Sequence, residues 1–114
     1  MIVLYGLVIK KEWLDLIIAG KKTIEVRGSR TSHLNETIYL CESGTHKVRG
    51  TCKIVDCKEV TPLSWYQEYN KHLVNISLNS LKDRYKKPYL WVLSKVKPIK
   101  KRFIINTLTV LLYG

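Results

Sequence analysis

The hydrophobic pattern of this chain changes its period at Gly20, and this change limits the folds open to the chain more than any other feature. Across residues 11–19 the apolar positions recur at spacings of three and four, which predicts a short amphipathic helix that ends at the glycine. Across residues 22–27 polar and apolar residues alternate, which is typical of a β-strand. The sequence therefore predicts a helix that leads directly into a short strand.

The predicted strand has one apolar and one polar face. Ile24 and Val26 point to one side. The other side carries Thr23, Glu25 and Arg27. A hydroxyl, a carboxylate and a guanidinium in a row need solvent, one another or a ligand. A solvated face with a surface ion pair between Glu25 and Arg27, worth little to stability, is one interpretation, and a ligand site is the other.

Further polar residues flank this strand. Lys22 stands at its start, and a Gly-Ser-Arg turn at its end opens a polar loop over residues 28–36, whose donors suit phosphate oxygens. A second turn, at residues 42–45, follows the next predicted strand and supplies a carboxylate and two hydroxyls. The candidate ligand-binding residues are Lys22, Thr23, Glu25, Arg27, Ser29, Arg30, Glu42, Ser43 and Thr45.

The net charge of +11 on 114 residues indicates an anionic partner. Residues 1–44 hold six Lys or Arg and five Asp or Glu, for a net charge of +1, so residues 45–114 carry the remaining +10. Lysines also keep small domains in solution, but an excess of this size favours RNA or a nucleotide as the partner. The residues expected to contact an RNA backbone are Lys86, Lys87, Lys95, Lys97, Lys100, Lys101 and Arg102.

The rest of the chain is predicted to alternate between strands and helices. Strands are expected at residues 2–10, 37–41, 48–60 and 89–97, and helices at residues 61–72 and from residue 77 to the proline at 88. Gly50 marks a bulge or a close approach of two backbones. Trp13 is expected in the core, with a stacking platform for a base as the alternative. The aromatic residues expected mostly to pack the second helical region onto the sheet are Trp65, Tyr66, Tyr69 and Tyr85.

The cysteines and histidines favour neither a disulfide framework nor a metal site. The three cysteines include no Cys-x-x-Cys pair, so free thiols that are buried or half-buried are expected. His33, His46 and His72 lie far apart and are expected at the surface or in helix caps. Neither a metal nor a cofactor is expected. The chain lacks a signal-peptide pattern and an apolar run of membrane length, which predicts a cytoplasmic protein without a membrane partner.

Four residues around the predicted strand fit the pattern Gly-x-Lys-x-x-Glu-x-Arg, namely Gly20, Lys22, Glu25 and Arg27. This pattern after a short helix resembles the signature of ASCH domains, which are similar in fold to PUA domains, the small β-barrels that bind RNA. The segments LVIKKEW, YLCESG and YLWVL extend the resemblance to about residues 2–100. It implies an α+β fold, a small PUA-like β-barrel of about five to six mixed strands with one helix after the first strand and a helical insert before the last strands.

The resemblance leaves three functions open. The first is a module that binds RNA, a nucleotide or a modified base in a cleft lined by the motif. The second is an enzyme, because some small bacterial ASCH proteins look like N4-acetylcytidine amidohydrolases with a Lys-Thr-Glu set. Here the lysine matches Lys22, the threonine aligns with Glu25 and the glutamate falls near Val74. Lys22 and Glu25 are thus the candidate catalytic residues, and a ribonuclease would use them with Arg27. The third is a protein-interaction domain, and the oligomeric state stays open.

The uncharged, β-prone C-terminal segment at residues 103–114 departs from the family pattern, so the predicted domain covers residues 1–102. Such a segment is expected to pair into the sheet or to be anomalous. Family members often close with a sequence like YKHPNGAVIW. Codons permitted for residues 103–113 spell YYKHPNGAVIW in a shifted frame. We therefore hypothesise that the gene, or the sequence read from it, carries a single-base frameshift just after Arg102.

Overall fold

The computed structural model describes residues 4–45 and 47–100, together with the backbone of residues 109–112. Its strands are β1 (Leu4–Ile9), β2 (Ile24–Arg27), β3 (Ile38–Glu42), β4 (Val48–Glu59), β5 (Tyr89–Pro98) and β6 (Thr109–Leu112). Its helices are α1 (Lys11–Ile18), α2 (Pro62–Gln67), α3 (Tyr69–His72) and α4 (Leu78–Arg84). The elements follow the predicted pattern, except that two short helices replace the single helix expected at residues 61–72.

The six strands of the described chain form one mixed sheet in the order β2-β5-β4-β3-β1-β6. β1 runs parallel to both of its neighbours, β3 and β6, while the remaining pairs are antiparallel. The sheet curls into a half-barrel, and within the described residues its edge strands β2 and β6 do not pair with each other. The predicted α+β class with mixed strands is confirmed.

β1 lies inside the sheet because nearly all of its residues are apolar. Residues 6–9 are buried, and each edge of the strand pairs with a neighbour. A strand covered on both faces is expected to be continuously apolar instead of alternating, which is the pattern of this segment.

β4 and β5 form the longest ladder of the sheet, and Gly50 permits their closest approach. A Cβ atom at Gly50 would lie 2.7 Å from the carbonyl oxygen of Lys97 and 2.9 Å from Cδ1 of Ile18. The ladder changes register twice, between residues 51 and 53 and between residues 54 and 56 of β4. Because such irregularities increase strand twist and bending, they help to curl the sheet.

α1 packs on the sheet through a narrow apolar stripe. Leu14 and Ile17 are completely buried and join a core cluster with Leu7, Leu40 and Trp91. The helix ends before Gly20, which has a φ of 78°. Glycine adopts this left-handed conformation readily because it has no Cβ atom. The chain then turns directly into the approach to β2.

The helical insert, residues 62–84, covers a second core cluster. Trp65 and Leu81 pack there with Ile24, Val60 and Leu90. Since Ile24 belongs to β2, the insert covers the apolar face of the short strand that carries the motif.

The insert begins at Thr61 and Pro62, where a helix start was predicted, and the cap is a capping box with Ser64. Thr61 Oγ1 accepts from the backbone N–H of Ser64 at 3.0 Å, and Ser64 Oγ accepts from the backbone N–H of Thr61 at 2.9 Å. The helical path breaks at Glu68, which ends α2 and precedes α3. No proline or glycine marks this break, so the local pattern did not reveal it.

The aromatic residues of the insert divide between core and surface. Trp65 is buried and Tyr85 is half-buried, whereas the side chains of Tyr66 and Tyr69 are exposed, at 65% and 40%. The expectation that most of these rings pack on the sheet therefore applies to Trp65 and Tyr85 alone.

The three cysteines occur as free thiols, with Cys41 and Cys52 buried and Cys57 half-buried. Burial raises the pKa of Cys41 to about 11 and that of Cys52 to about 12. Within the described ranges no helix has the length and apolar character needed to cross a bilayer. His46, Lys101 and Arg102, with residues 103–108 of the C-terminal segment, lie outside the described residues.

Candidate functional site

Lys22 is the most deeply buried charged residue of the motif, with a relative exposure of 1%. The turn after α1 places it there, because the backbone N–H groups of Lys21 and Lys22 both donate to the carbonyl of Leu16. Its Nζ donates a hydrogen bond to the carbonyl oxygen of His72 at the end of α3. A lysine at the entrance of the strand thus joins α1 to the helical insert.

The Lys22 ammonium lies near one carboxylate, which compensates its charge, and near one aromatic ring. Nζ lies 3.7 Å from Oε1 of Glu25 and 4.8 Å from the centre of a Trp13 ring. Burial lowers the pKa of Lys22 from its ordinary value, although the carboxylate of Glu25 opposes this shift. A lowered pKa favours the neutral form of a lysine, which is the form that can accept a proton.

Glu25 and Arg27 form a buried ion pair, which corrects the interpretation of their strand face as solvated. Arg27 Nη2 donates to Glu25 Oε2 at 2.8 Å and to the carbonyl oxygen of Val8 at 2.6 Å. The two residues are only 6% and 8% exposed. The sequence indicated that Glu25 and Arg27 share one face of β2. It did not indicate that other segments, distant in sequence, bury this face.

A cleft of about 510 Å³ opens beside this pair. Glu25 and Arg27 line it from β2, and Trp13 lines it from the start of α1. Ser43 closes another side, held there because its backbone N–H donates to the carbonyl of Ile9 at 2.8 Å. A cleft of this size with a few fixed polar groups is typical of small-molecule sites.

The helical insert supplies cleft residues that the sequence did not single out as site residues. Arg84 and Tyr85, at the end of α4, both line the cleft. The Tyr85 ring lies over Gly28, where a Cβ atom would approach ring atom Cδ1 to 2.6 Å. The glycine that follows the motif therefore makes room for one wall of the site. Lys10, at the N-cap of α1, completes the set of charged lining residues.

Thr23, Ser29 and Arg30 are exposed and do not line the cleft. The backbone of Thr23 fastens the strand instead, since its N–H donates to the carbonyl of Lys71. The carbonyl of Ser29 accepts from Trp91 Nε1 at 2.9 Å, and the Arg30 guanidinium lies 6.0 Å from the centre of the Tyr89 ring. These three residues hold the end of β2 in place.

The turn at residues 42–45 contributes one residue to the cleft. Ser43 lines it, whereas Glu42 and Thr45 do not. Glu42 pairs with Arg49 at 3.5 Å and accepts from Thr45 Oγ1 at 3.3 Å. Arg49, which the sequence gave no reason to single out, also pairs with Asp15 at 2.5 Å. This cluster joins α1, β3 and β4.

The basic residues expected on an RNA backbone fall into two groups. Exposed Lys86 and Lys87 follow Arg84 and Tyr85 in the connection to β5. The second group, Lys95, Lys97 and Lys100, is exposed toward the other end of β5. On that strand Tyr89 pairs with Arg27 and Lys97 pairs with Thr51, and none of the second group lines the cleft.

His72 is buried, which corrects its expected place at the surface or in a cap. Its ring stacks on Trp65 with centroids 4.0 Å apart, Nδ1 accepts from the backbone N–H of Val74, and Nε2 lies 2.8 Å from the Trp65 carbonyl oxygen. Burial lowers its pKa. Among the described residues no three His, Cys, Asp or Glu side chains cluster in a way that could hold a metal ion.

A family model described as ASCH domain matches residues 7–103. ASCH from Zymomonas mobilis superposes with a TM-score of 0.67 at 18% identity, over 88% of this chain and 72% of that chain. A single-residue variant of that protein gives 0.66 at 18% identity, over 87% of this chain and 72% of that chain. The hypothetical protein PH0355 gives 0.56 at 15% identity, over 86% of this chain and 100% of that chain. At these identities the solved structures establish likeness of fold alone. No curated protein matches the chain.

Proposed function

The chain belongs to the ASCH domain family, and from this premise we propose that it binds a nucleotide or a modified base, free or within RNA, in the cleft beside β2. The observation that carries the proposal is the buried Glu25–Arg27 pair on the wall of a cleft that two aromatic residues also line. Fixed hydrogen-bonding groups next to aromatic rings are what recognition of an unstacked base requires.

The carboxylate of Glu25 is the proposed acceptor for an amino group of the base. Its position is fixed from three sides, because Oε2 bonds to Arg27 while Oε1 lies 3.3 Å from the backbone N of Val26 and 3.7 Å from Nζ of Lys22. The half-buried rings of Trp13 and Tyr85 supply apolar surface for the base. A carboxylate held this rigidly loses little freedom when it accepts a ligand, which favours affinity.

Basic residues outside the cleft would contact the backbone of a longer RNA. Lys86 and Lys87 are nearest in sequence to the cleft residues of α4, so they are the first candidates for this role. Such contacts make affinity depend steeply on salt concentration. Neutralising these lysines is expected to reduce the salt slope for RNA and to leave binding of a single nucleotide unchanged.

An NMR titration of isotope-labelled protein with a short single-stranded RNA, with nucleotides and with N4-acetylcytidine tests the proposal. Amide shifts are expected around residues 22–30, 43 and 84–85. Ser43→Trp, which fills the cleft from an exposed position, should abolish them, while Thr45→Trp in the same turn but outside the cleft should not. Absence of shifts with every probe, or shifts that Ser43→Trp leaves intact, would refute the proposal.

A second candidate function is hydrolysis of an N4-acylated cytidine, favoured by the lowered pKa of Lys22 beside Glu25. Lys22 does not itself line the cleft, so Glu25, which does, would take the proton from the attacking water and pass it to the neutral lysine 3.7 Å behind it. The same proton would return to the amino nitrogen of cytidine as the C–N bond breaks, giving cytidine and acetic acid, which ionises to acetate. Val74 lines the cleft where the resemblance implies a glutamate, and Thr23 lies outside the cleft. Among the described residues that line the cleft, Glu25 is thus the single carboxylate available for this reaction and for cleavage of RNA alike.

Release of cytidine from N4-acetylcytidine, followed by chromatography, distinguishes this enzyme from a binding module. Lys22→Met should abolish release if the lysine accepts the proton, and Lys21→Met, at an exposed neighbouring position, should not. Binding without release supports the binding module, and release that persists in Lys22→Met excludes the assigned role of the lysine.

A further inference from the structure

The charged residues that line the cleft are unequal in sign. Lys10, Arg27 and Arg84 are cationic, and Glu25 is the one anionic residue among those lining residues, which leaves a net charge of +2. Glu25 is already compensated by Arg27 at 2.8 Å, and Lys22 lies behind it at 3.7 Å. The charges of Lys10 and Arg84 therefore have no counterpart in the cleft.

Neither of these two cations has an ion pair in the described part of the chain. Lys11, Lys71 and Lys87 pair with Asp15, Glu68 and Glu59, whereas exposed lysines outside the cleft such as Lys82 and Lys86 have no such pair either, so Lys10 and Arg84 are set apart by their place in the cleft wall. Exposed side chains without intramolecular partners are available to an anionic ligand, and at the mouth of a concave site their attraction is stronger than on an open surface.

The buried guanidinium of Arg27 also has unused donors. Its Nη2 bonds to Glu25 and Val8, but its Nε is buried without a hydrogen-bond partner. Nη1 donates to no other described residue. An unpaired buried donor is costly, so an acceptor supplied by a ligand would relieve a penalty that the unliganded protein bears. The Arg27 side chain is 10% exposed and lines the cleft, so part of the guanidinium side chain is accessible to a ligand there.

Each of these cations lines the cleft together with an aromatic residue that is near it in the sequence. Lys10 precedes α1, which carries Trp13, and Arg84 directly precedes Tyr85. Rings and cations in the wall of one cleft suit a ligand that joins a planar base to an anionic group, because the rings bind the base and the cations bind the anion.

Building on the proposed function, we propose that the ligand of the cleft is a phosphorylated nucleoside, and that Arg84 and Lys10 select it over the unphosphorylated nucleoside by binding its phosphate. The guanidinium of Arg84 donates to phosphate oxygens, the ammonium of Lys10 adds a point charge, and the free donors of Arg27 bind a further acceptor of the ligand. The phosphate belongs either to a free mononucleotide or to one nucleotide unit of an RNA strand.

The test compares the dissociation constants of cytidine, adenosine, guanosine and uridine with those of their 5′-monophosphates and of a short RNA. The nucleotide should bind roughly ten- to a hundredfold more tightly than its nucleoside, the effect expected of a charged hydrogen bond. Arg84→Gln should weaken binding of the nucleotide far more than binding of the nucleoside, and so remove most of this preference. Lys82→Gln removes the same charge from α4 at an exposed position outside the cleft, and it should keep the preference.

The outcomes separate this inference from the proposed function. Equal binding of nucleoside and nucleotide, or a preference that survives in the Lys10→Gln/Arg84→Gln protein, overturns the inference and leaves the proposed function intact. If RNA alone binds, an affinity for RNA that falls in Arg84→Gln but not in Lys82→Gln supports the inference for an RNA phosphate. Equal losses of RNA affinity in the two variants overturn it. If no probe binds, both fail.

Discussion

The Nζ atom of Lys22 lies 3.7 Å from Oε1 of Glu25, and both residues are buried next to the cleft. With Arg27 on the other oxygen of the carboxylate, two cations share one anion. Burial of the ammonium is the main reason why the pKa of Lys22 is lowered despite its partner, and repulsion from Arg27 adds to this effect.

The unequal charge balance predicts unequal effects of neutralising the two residues. Glu25→Gln leaves two buried cations without an anion and should reduce the free energy of unfolding by about 3 kcal/mol. Lys22→Met leaves the Glu25–Arg27 pair intact and should change it by less than about 1 kcal/mol, since relief of a buried charge offsets the lost hydrogen bond to His72. Urea unfolding measures both, with Glu12→Gln and Lys21→Met as exposed controls. A cost for Lys22→Met as large as that for Glu25→Gln would contradict this account.

Acid is expected to destabilise the protein through His72. Its neutral ring uses both nitrogens, and its folded-state pKa lies below 6.5 because the ring is buried. The unfolded chain therefore binds more protons as the pH falls below about 6.5, and stability falls by up to about 1.4 kcal/mol per pH unit. Urea unfolding of the wild type and His72→Asn at pH 8, 7, 6 and 5 measures the slope. The variant should be less stable at pH 8 yet lose less on acidification, and equal slopes would exclude His72 as the cause.

Gly28→Ala should damage the wall of the cleft. The new Cβ atom would meet ring atom Cδ1 of Tyr85 at 2.6 Å, so the ring must move. We expect a loss of about 1–3 kcal/mol in unfolding free energy together with changed amide shifts around α4. The same substitution in a Tyr85→Ala background removes the clash and should cost much less. Equal costs in the two backgrounds would show that the ring is not what requires a glycine.

The three thiols should react at very different rates. Cys41 and Cys52 are buried, with pKa values raised to about 11 and about 12, whereas Cys57 is half-buried. With an aromatic disulfide reagent at pH 8, one thiol per chain should react quickly and two only as fast as the protein opens. Cys57→Ser should lack the fast phase. A fast phase of two or three thiols would contradict the described burial.

The C-terminal segment, residues 103–114, is predicted to result from a frameshift in the gene. The family model match ends at residue 103, and β6 at residues 109–112 pairs in parallel with β1. Sequencing the gene should reveal one inserted or deleted base just after the codon for Arg102 relative to close relatives, and restoring the frame should raise the melting temperature. A gene without such a difference would disprove the frameshift.

The sequence by itself determined the order and type of the elements, the family, and the alternation that places Glu25 and Arg27 on one face of β2. These properties are local, because they depend on period, caps and glycine positions, which any stretch of chain expresses on its own. The N-cap of α2 at Thr61 was predictable for the same reason, whereas the sequence left a bulge or a close approach open at Gly50.

Only the tertiary structure decided that this polar face is buried and that a cleft adjoins it. The carbonyl that binds Lys22 belongs to His72, fifty residues further along the chain, and the wall at Arg84 and Tyr85 is still more distant. A local pattern states which side chains share a face but carries no information on which segment will cover it. The covering segments bury Glu25 and Arg27, lower the pKa of Lys22 and bring unpaired charges to the cleft. The proposed chemistry of this protein depends on these three properties.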